Sequence, residues 1–334
     1  MISGENMKKR IFFVSFFIFV SNLFCENFPF WYENKSFQFP DSEYISAVGT
    51  GFSENGAKDS AVSTLALYFE SKISVQRSAK LYGNENSFGK LEKQRSVYSE
   101  TNVASETKLP AVSFTNSFYN SARNEYSVCA YIKKKDAINE FQGILSAGIL
   151  SANEKVQKSE ILKNSYLAFS MAKSSFVLLE ELQDTAKSLS VLDSESGSES
   201  LKSIASLSER ANAVMSREKP KLTFSVKIKN DTQKNVAYTI RQLLESKGFV
   251  CGGQNPNFVI EGNIHFSESE NDVGVFVRPA ISLNIFSADG SNEILGSYSK
   301  QYPKYGHKAL ENAYAKARIE IEKDLKENLL DSLF

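Results

Sequence analysis

The residues that most resemble a chemical site are two glycines between a short apolar run and an alanine-rich stretch. Gly49 and Gly51 follow residues 44–48 and precede residues 54–61, a pattern that predicts a strand, a glycine turn and a helix. Such a turn binds a pyrophosphate when a third glycine stands three residues after the second. Here that position is Glu54, whose carboxylate would repel a phosphate, so we expect the glycines to permit a tight turn with positive φ.

Few other residues could carry out catalysis. His265 and His307 are the two histidines, and neither has cysteine, histidine or carboxylate neighbours at metal-ligand spacing. The sequence contains no nucleophile elbow, phosphate-binding loop or paired catalytic carboxylate motif. We therefore expect no catalytic residue, no metal site and no cofactor, and we interpret the chain as non-enzymatic.

The first 25 residues have the pattern of an export signal, and we take residues 1–25 as a signal peptide. Residues 7–10 (MKKR) are basic, and residues 11–20 (IFFVSFFIFV) are apolar but short for a membrane span. Cys25 stands where a lipoprotein carries its lipid, although Phe24 replaces the usual small residue. Either Cys25 is acylated and anchors the chain to a membrane, or cleavage after Cys25 releases a soluble chain.

The composition of the rest of the chain is that of a folded protein. It lacks the net positive charge that is typical of nucleic-acid binding. The 39 basic and 39 acidic residues cancel, and 12% of the residues are aromatic. The cysteines after Cys25 are Cys129 and Cys251, each beside apolar residues in a different predicted domain. We expect buried thiols, with a disulfide between them as the alternative.

The first domain is predicted over residues 29–136. Trp31 and Tyr32 belong to an aromatic cluster that either packs against this domain or forms an interaction surface. Alternation over residues 112–119 and 126–132 predicts a hairpin. The polar stretch 75–107 is interpreted as a long edge hairpin or an insertion. Apolar residues at four-residue spacing predict a core-facing helix after the glycines: Ala57, Ala61, Leu65, Phe69 and Ile73.

These residues resemble the LPP-twenty family of bacterial envelope lipoproteins and the N-terminal domain of the flagellar T-ring protein FlgT. The resemblance covers roughly the first third of the chain and implies a small α/β domain, a periplasmic or outer-membrane location and no enzymatic activity. Phe24 and the polar insertion depart from the pattern. The residues that carry the resemblance are Phe30, Trp31, Tyr44, Val48, Gly49, Gly51, Ser53, Ala57, Ala61 and residues 126–132 (YSVCAYI).

A helical connector is predicted over residues 137–219 and a second domain over residues 220–334. Heptad-spaced apolar residues in the connector indicate two or three helices that fold on each other, with a polar loop at residues 191–200. The second domain follows the order strand, helix, four strands, helix, and residues 273–285 form either one longer strand or two strands split at Pro279. At the level of the fold it resembles the FlgT middle region and the TolB N-terminal domain.

Together these features predict an α+β fold, in which a long helical hairpin joins two small helix-on-antiparallel-sheet domains. We expect a cell-envelope protein that acts as a structural or interaction module in the periplasm or at the outer membrane. Envelope or flagellar-motor proteins are the expected partners, and the flagellar association depends on the resemblance alone. A periplasmic protein that binds a small ligand is the alternative.

Mass spectrometry of the mature N-terminus tests the export prediction. We expect either an acylated Cys25 or an unmodified N-terminal Glu26, because a signal peptide is removed during export. Full-length, uncleaved chain in the cytoplasmic fraction would contradict this prediction.

Overall fold

The computed structural model describes residues 28–85, 109, 111–231 and 235–334, with residues 76–85 described by their backbone alone. The predicted signal peptide and Cys25 therefore lie outside the described residues. Two compact units are found: one comprises the described residues up to Gly143 with Lys187–Ser194, and the other comprises Ile144–Ala186 with Glu195–Phe334. Both units contain helices, and each has its own sheet, which confirms the α+β class. The three-part division at residues 136 and 219 stays a prediction.

A four-stranded antiparallel sheet forms the base of the first unit. Its elements, with the helices around them, are α1 (Phe30–Glu33), α2 (Lys35–Gln38), β1 (Tyr44–Gly51), α3 (Glu54–Glu85), β2 (Val112–Phe114), β3 (Phe118–Asn120) and β4 (Glu125–Lys133). β1 pairs with β4 along its full length, and Gly49 lies opposite Val128. The shorter β2 and β3 both pair with β4, which confirms the predicted hairpin.

The long helix α3 packs on one face of this sheet. Ala57, Ala61, Leu65 and Phe69 recur every four residues, and each is at most 1% exposed. This burial confirms the predicted core-facing stripe as far as Phe69, whereas Ile73, its last predicted member, is half-buried. The helix continues to Glu85, so the polar stretch that begins at residue 75 starts as helix, and its residues 86–107 lie outside the described part of the chain.

Gly49 and Gly51 allow α3 to approach the sheet closely. A Cβ atom on Gly49 would lie 2.1 Å from the backbone nitrogen of Ala61, and one on Gly51 would lie 2.7 Å from that of Ala57. Neither glycine has a positive φ, so the expected reason for the glycines was wrong. The reason is steric, because the helix backbone fills the volume that any side chain would need.

Three long helices come next in the chain: α4 (Lys134–Ile161), α5 (Ser165–Leu192) and α6 (Ser194–Glu218). The Ser175 hydroxyl on α5 donates to the Ala152 carbonyl on α4 at 3.0 Å. The Arg210 guanidinium on α6 pairs with the Glu160 carboxylate on α4 at 2.7 Å. These contacts confirm that the connector helices fold on each other.

The polar loop predicted at residues 191–200 was wrong. Only Asp193 lies outside a helix in this stretch, and α6 begins at Ser194. Serine and acidic side chains favour the first turn of a helix, where they offset the unpaired amides and the helix dipole. Gly197 is buried, so packing stabilises a stretch whose polar composition suggested a loop.

A six-stranded sheet forms the base of the second unit, in the predicted order with one short strand added. Its elements are β5 (Thr223–Lys229), α7 (Asn235–Ser246), β6 (Val250–Cys251), β7 (Phe258–Asn271), β8 (Gly274–Ser287), β9 (Ile294–Gln301), β10 (Tyr305–His307) and α8 (Leu310–Leu333). β5 lies between β6 and β7 and runs parallel to both. The pairs that β8 makes with β7, β9 and β10 are antiparallel.

Pro279 does not divide β8, which is one continuous strand. The Pro279 carbonyl accepts a hydrogen bond from the Tyr302 amide at 3.0 Å, so the Pro279 nitrogen faces the same edge of the strand. On that edge β10 pairs with residues 275–277 and β9 pairs with residues 280–286. The missing N–H of proline therefore falls in the gap between two strands, where it interrupts no ladder.

Helices α7 and α8 cover one face of the second sheet, and the start of α5 joins the same core. Phe249 and Phe334 stack in this core with ring centroids 4.9 Å apart. The opposite face of the sheet presents exposed polar side chains, among them Lys227, Glu261 and His265. Helices on a single face are the arrangement that the sequence predicted. The buried aromatic residues of this core, against which Phe334 packs, are Tyr166, Phe169, Phe224, Phe249, Phe258, Tyr298 and Tyr302.

We expect Gly49→Ala to lower the free energy of unfolding by about 2 kcal/mol, because the added methyl group must displace α3 from the sheet. Urea denaturation followed by circular dichroism measures this change. Gly143→Ala on α4 is the matched control, since no heavy atom lies within 4 Å of its Cβ position and alanine favours a helix interior. Wild-type stability in Gly49→Ala would show that the contact is looser than described.

Candidate functional site

The aromatic cluster near the predicted cleavage site turns its tryptophan inward. Trp31 is 5% exposed and packs with Phe39 and Cys129. Val128 lies opposite Gly49 on the face that α3 covers, so the next residue, Cys129, points to the other face of the sheet. Tyr32 is half-buried and stacks on Phe28 at 5.3 Å. Trp31 therefore seals the second face of the sheet, in agreement with the packing alternative.

Two phenylalanines of the same segment face solvent instead. Phe30 on α1 is 54% exposed and Phe37 on α2 is 79% exposed. Their ring centroids lie 5.8 Å apart in an edge-to-face arrangement. We call Phe30 and Phe37 the aromatic pair. The two short helical turns direct Trp31 and Phe39 into the core and leave the aromatic pair on the surface.

The turn between β1 and α3 leaves no space for a nucleotide phosphate. The Gly56 amide donates to the Ser53 hydroxyl oxygen at 3.1 Å, so Ser53 caps the helix. The Glu54 carboxylate accepts a hydrogen bond from the hydroxyl of Ser117, which lies between β2 and β3. Opposite Gly49 the volume is filled by the α3 backbone. The turn is therefore a helix cap and a packing contact.

A buried carboxylate on α8 accepts hydrogen bonds from four side chains of the second unit. Asp324 is 7% exposed and accepts hydrogen bonds from the hydroxyls of Tyr298 and Tyr302, from the Lys300 ammonium and from the Asn328 amide. Burial raises the pKa of this carboxyl, but the four donors outweigh burial and hold the pKa at about 2. The network joins α8 to β9 and to the residue that follows it.

The hydrogen bonds around Asp324 suit stabilisation of the fold better than proton transfer. Burial, followed by the hydrogen bond to Asp324, raises the pKa of Tyr298 to about 12 and raises that of Tyr302 as well. Both phenols therefore stay protonated and donate to the carboxylate at neutral pH. Four donors engage the carboxylate of Asp324, so it is a poor general base.

Glu218 at the end of α6 has a similar environment. Its side chain is 5% exposed and pairs with Arg217 and with Lys221, the latter at 2.8 Å. Burial raises the pKa of the carboxyl, and hydrogen bonds from Lys221, Arg217 and Ser165 bring the pKa down to about 2. Ser165 begins α5, so this carboxylate fastens the end of one helix to the start of another.

Among the described residues, side chains of the types that act as nucleophiles or metal ligands do not cluster. No group of three or more histidine, cysteine or acidic side chains that could hold a metal ion occurs in the part of the chain that the structure describes. His265 and His307 are exposed. Cys129 and Cys251 carry free thiols, and burial raises the pKa of each to about 11, so neither is an activated nucleophile. No helix in the described ranges has the length and apolar character of a membrane span.

Two clefts of the second unit are open to solvent and have mixed polar and apolar linings. One of about 650 Å³ lies beside α8 and is lined by Asn235, Glu311, Arg318 and Glu322 among others. Its volume is in the range of small-ligand sites, but such sites are mostly apolar with a few polar groups. A second cleft, of about 560 Å³, is bordered by Asn164, Asn257 and Asp289.

Comparison with known proteins gives few matches. No family model and no curated protein matches the chain. Similar solved structures include the secreted protein HP1454 from the human pathogen Helicobacter pylori, with 11% identity and a TM-score of 0.41 over 85% of this chain and 97% of that one. A minor lipoprotein from Acinetobacter baumannii has 13% identity and a TM-score of 0.28 over 34% of this chain and 90% of that one. Both TM-scores are below 0.5, so neither likeness supports a functional argument, and membership of the LPP-twenty family stays a prediction.

Sequence reasoning missed the aromatic pair and the Asp324 network. Phe37 stands in a polar stretch, which was the available signal that it lies at the surface. Asp324 follows Ile321 by three residues and precedes Leu325, on the buried stripe of α8. A carboxylate within an apolar stripe indicates a buried partner, because an unpaired buried charge is very unfavourable.

We expect Asp324→Asn to lower the free energy of unfolding by about 2 kcal/mol at pH 7. The variant should also lack the pH dependence of that free energy which titration of Asp324 causes in the wild type. The folded-state pKa of about 2 lies below the ordinary value of 3.8, so the ionised carboxylate stabilises the fold above pH 4. That stabilisation falls away as the pH drops through 2. The stability difference between wild type and variant, measured by urea denaturation, should therefore shrink between pH 5 and pH 2.

Asp331→Asn is the matched control on the same helix. Its carboxylate side chain is 87% exposed and lies 3.7 Å from the Lys173 ammonium, so we expect a change below about 0.5 kcal/mol. If the two variants behave alike at every pH, the Asp324 network does not stabilise the unit.

Proposed function

We propose that this chain is an exported, non-enzymatic protein of the cell envelope that binds another envelope protein through the aromatic pair. The observation that carries the proposal is the exposure of Phe30 and Phe37, whose rings contact each other on the surface of the first unit. Paired apolar rings in contact with water are unfavourable, and aromatic residues are enriched at the centres of protein interfaces. A partner that covers both rings would remove that exposed surface.

The position of the pair in the chain supports a partner near a membrane. Phe30 stands five residues after Cys25. An extended chain spans at most about 3.6 Å per residue, so the Cα atom of an acylated Cys25 would lie within about 18 Å of that of Phe30. In the acylated form the partner would therefore be a membrane-proximal envelope protein. A partner in the flagellar motor rests on the resemblance to FlgT alone.

The environment of the titratable groups supports a non-enzymatic role. The two most buried carboxylates with lowered pKa, Asp324 and Glu218, are each held by several donors. The buried tyrosines and cysteines have raised pKa values and stay protonated. Catalytic acids and bases instead have a pKa near the working pH and reach a substrate.

Binding of a small ligand is the second candidate, and the cleft of about 650 Å³ beside α8 favours it. Its polar lining could hold a charged metabolite. The first candidate is preferred because the aromatic pair presents exposed apolar surface that a metabolite in this cleft would not cover.

Site-specific photo-crosslinking tests the proposal in cells of the source organism. Benzoylphenylalanine in place of Phe37 should form an adduct with an exported protein, because the probe replaces a ring at the proposed contact. Phe52 is the matched control: it is an aromatic residue of the same unit, it is 90% exposed, and it lies outside the aromatic pair. Phe30→Ser in the Phe37 probe strain should reduce the adduct several-fold.

Three results would overturn the proposal. Adducts of equal yield at positions 37 and 52 would show that the crosslinking is not specific to the aromatic pair. Adducts with lipid alone would show that the pair contacts the membrane and not a protein. A saturable thermal shift with a metabolite, together with no adduct, would support the second candidate.

A further inference from the structure

In the second unit, part of one edge of β5 is not paired with another described strand, a feature that is separate from the aromatic pair. Along one edge of β5, β6 pairs only with Thr223 and Phe224, and the Gly252 amide donates to the Phe224 carbonyl at 2.9 Å. Along the other edge β7 pairs with residues 224–229. Beyond Phe224, no strand within residues 28–85, 111–231 and 235–334 pairs with the first edge.

The backbone groups at this edge can be assigned from the pairing. The N–H and C=O of one residue point to the same side of a strand, and the side alternates with each residue. Since the Phe224 carbonyl faces β6, the groups of Val226 and Ile228 face the free edge. The Val226 carbonyl accepts a long hydrogen bond, 3.4 Å, from the Arg241 guanidinium. Neither amide has a hydrogen-bond partner among the described residues.

A cleft of about 420 Å³ opens beside the edge. The side chains of Val226 and Ile228 pack into the core layer, and Ala237 of α7 is half-buried beside them. Lys227 and Lys229 alternate with them and are exposed on the polar face of the sheet. The cleft therefore has an apolar side and a basic side.

The acidic groups at this cleft are already engaged. The Asp231 carboxylate accepts a hydrogen bond from the Ala237 amide at 2.9 Å. The Glu261 carboxylate lies 3.9 Å from the Lys227 ammonium. Lys229 and Arg241 add positive charge beyond these two carboxylates, so a bound segment with negative side chains would complement the cleft.

We propose that the edge of β5 binds an extended acidic segment of a partner protein as an added strand. Main-chain hydrogen bonds to Val226 and Ile228 would supply affinity, and alternate side chains would supply specificity. Small apolar residues of the segment would face Ala237, and acidic residues would face Lys227 and Lys229. Lysines on an edge strand also discourage unwanted pairing. Here they select among segments by charge, because they oppose basic strands and attract acidic ones.

Fluorescence anisotropy with two labelled eight-residue peptides tests this proposal on the mature chain. One peptide alternates valine and glutamate, and the other alternates valine and lysine. We expect saturable binding of the first and at least tenfold weaker binding of the second. On addition of the first peptide, hydrogen exchange at the amides of Val226 and Ile228 should slow.

Two variants separate main-chain pairing from charge. Ile228→Pro removes an edge N–H and should weaken the glutamate peptide at least tenfold, whereas Ile228→Val keeps the N–H and should bind nearly as wild type. Lys229→Glu changes an exposed side chain, so we expect the variant to fold. It should lower the ratio of affinities for the glutamate peptide over the lysine peptide at least tenfold. If the proline variant fails to fold, Lys229→Glu still tests the proposal through its effect on peptide preference.

Several outcomes would refute the added-strand site. They are no saturable binding of the glutamate peptide, equal binding of both peptides, and unchanged exchange at the Val226 and Ile228 amides. Self-association of the chain that Ile228→Pro abolishes would make a second copy the occupant, which also overturns the proposal.

Discussion

Close packing of an alanine-lined helix on one face of an antiparallel or mixed sheet is the contact on which each unit depends. In the first unit Ala57 and Ala61 bring α3 against β1, and in the second Ala313 and Ala317 bring α8 against β8 and β10. Small side chains let the backbones approach, which increases dispersion contacts over the whole interface. A single methyl group at Gly49 has no space for the same reason.

The two units differ in how they treat the second face of the sheet. In the first unit a short aromatic segment covers it, with Trp31 and Phe39 packed around Cys129. In the second unit the face remains polar, and Lys227 and Glu261 stand in solvent. Covering the first face uses the inward half of the aromatic segment and places Phe30 and Phe37 outside. The exposed rings thus follow from the same short turns that complete the core.

Buried charge in this protein serves to hold elements together. Asp324 joins a helix to the end of a strand, and Glu218 joins two helix ends. Each carboxylate is surrounded by cationic and neutral donors that replace its lost water. A group held in this way has little remaining capacity to move a proton. The aromatic pair and the free edge of β5, by contrast, are surface features, and the binding roles proposed for them depend on exposed groups rather than on these buried carboxylates.

Periodicity in the sequence determined the α+β class, the α3 stripe at Ala57 to Phe69 and, apart from β10, the order of helices and strands along the second unit, because these depend on the local spacing of apolar and polar residues. Tertiary structure decided the rest. Gly49 is explained by the α3 backbone opposite it, Pro279 by a gap between two neighbouring strands, and residues 191–200 by burial of Gly197. Likewise, the donors around Asp324 and the free edge of β5 arise from contacts between residues far apart in the chain. Their pairing depends on where the backbone places them, and no local pattern encodes that position.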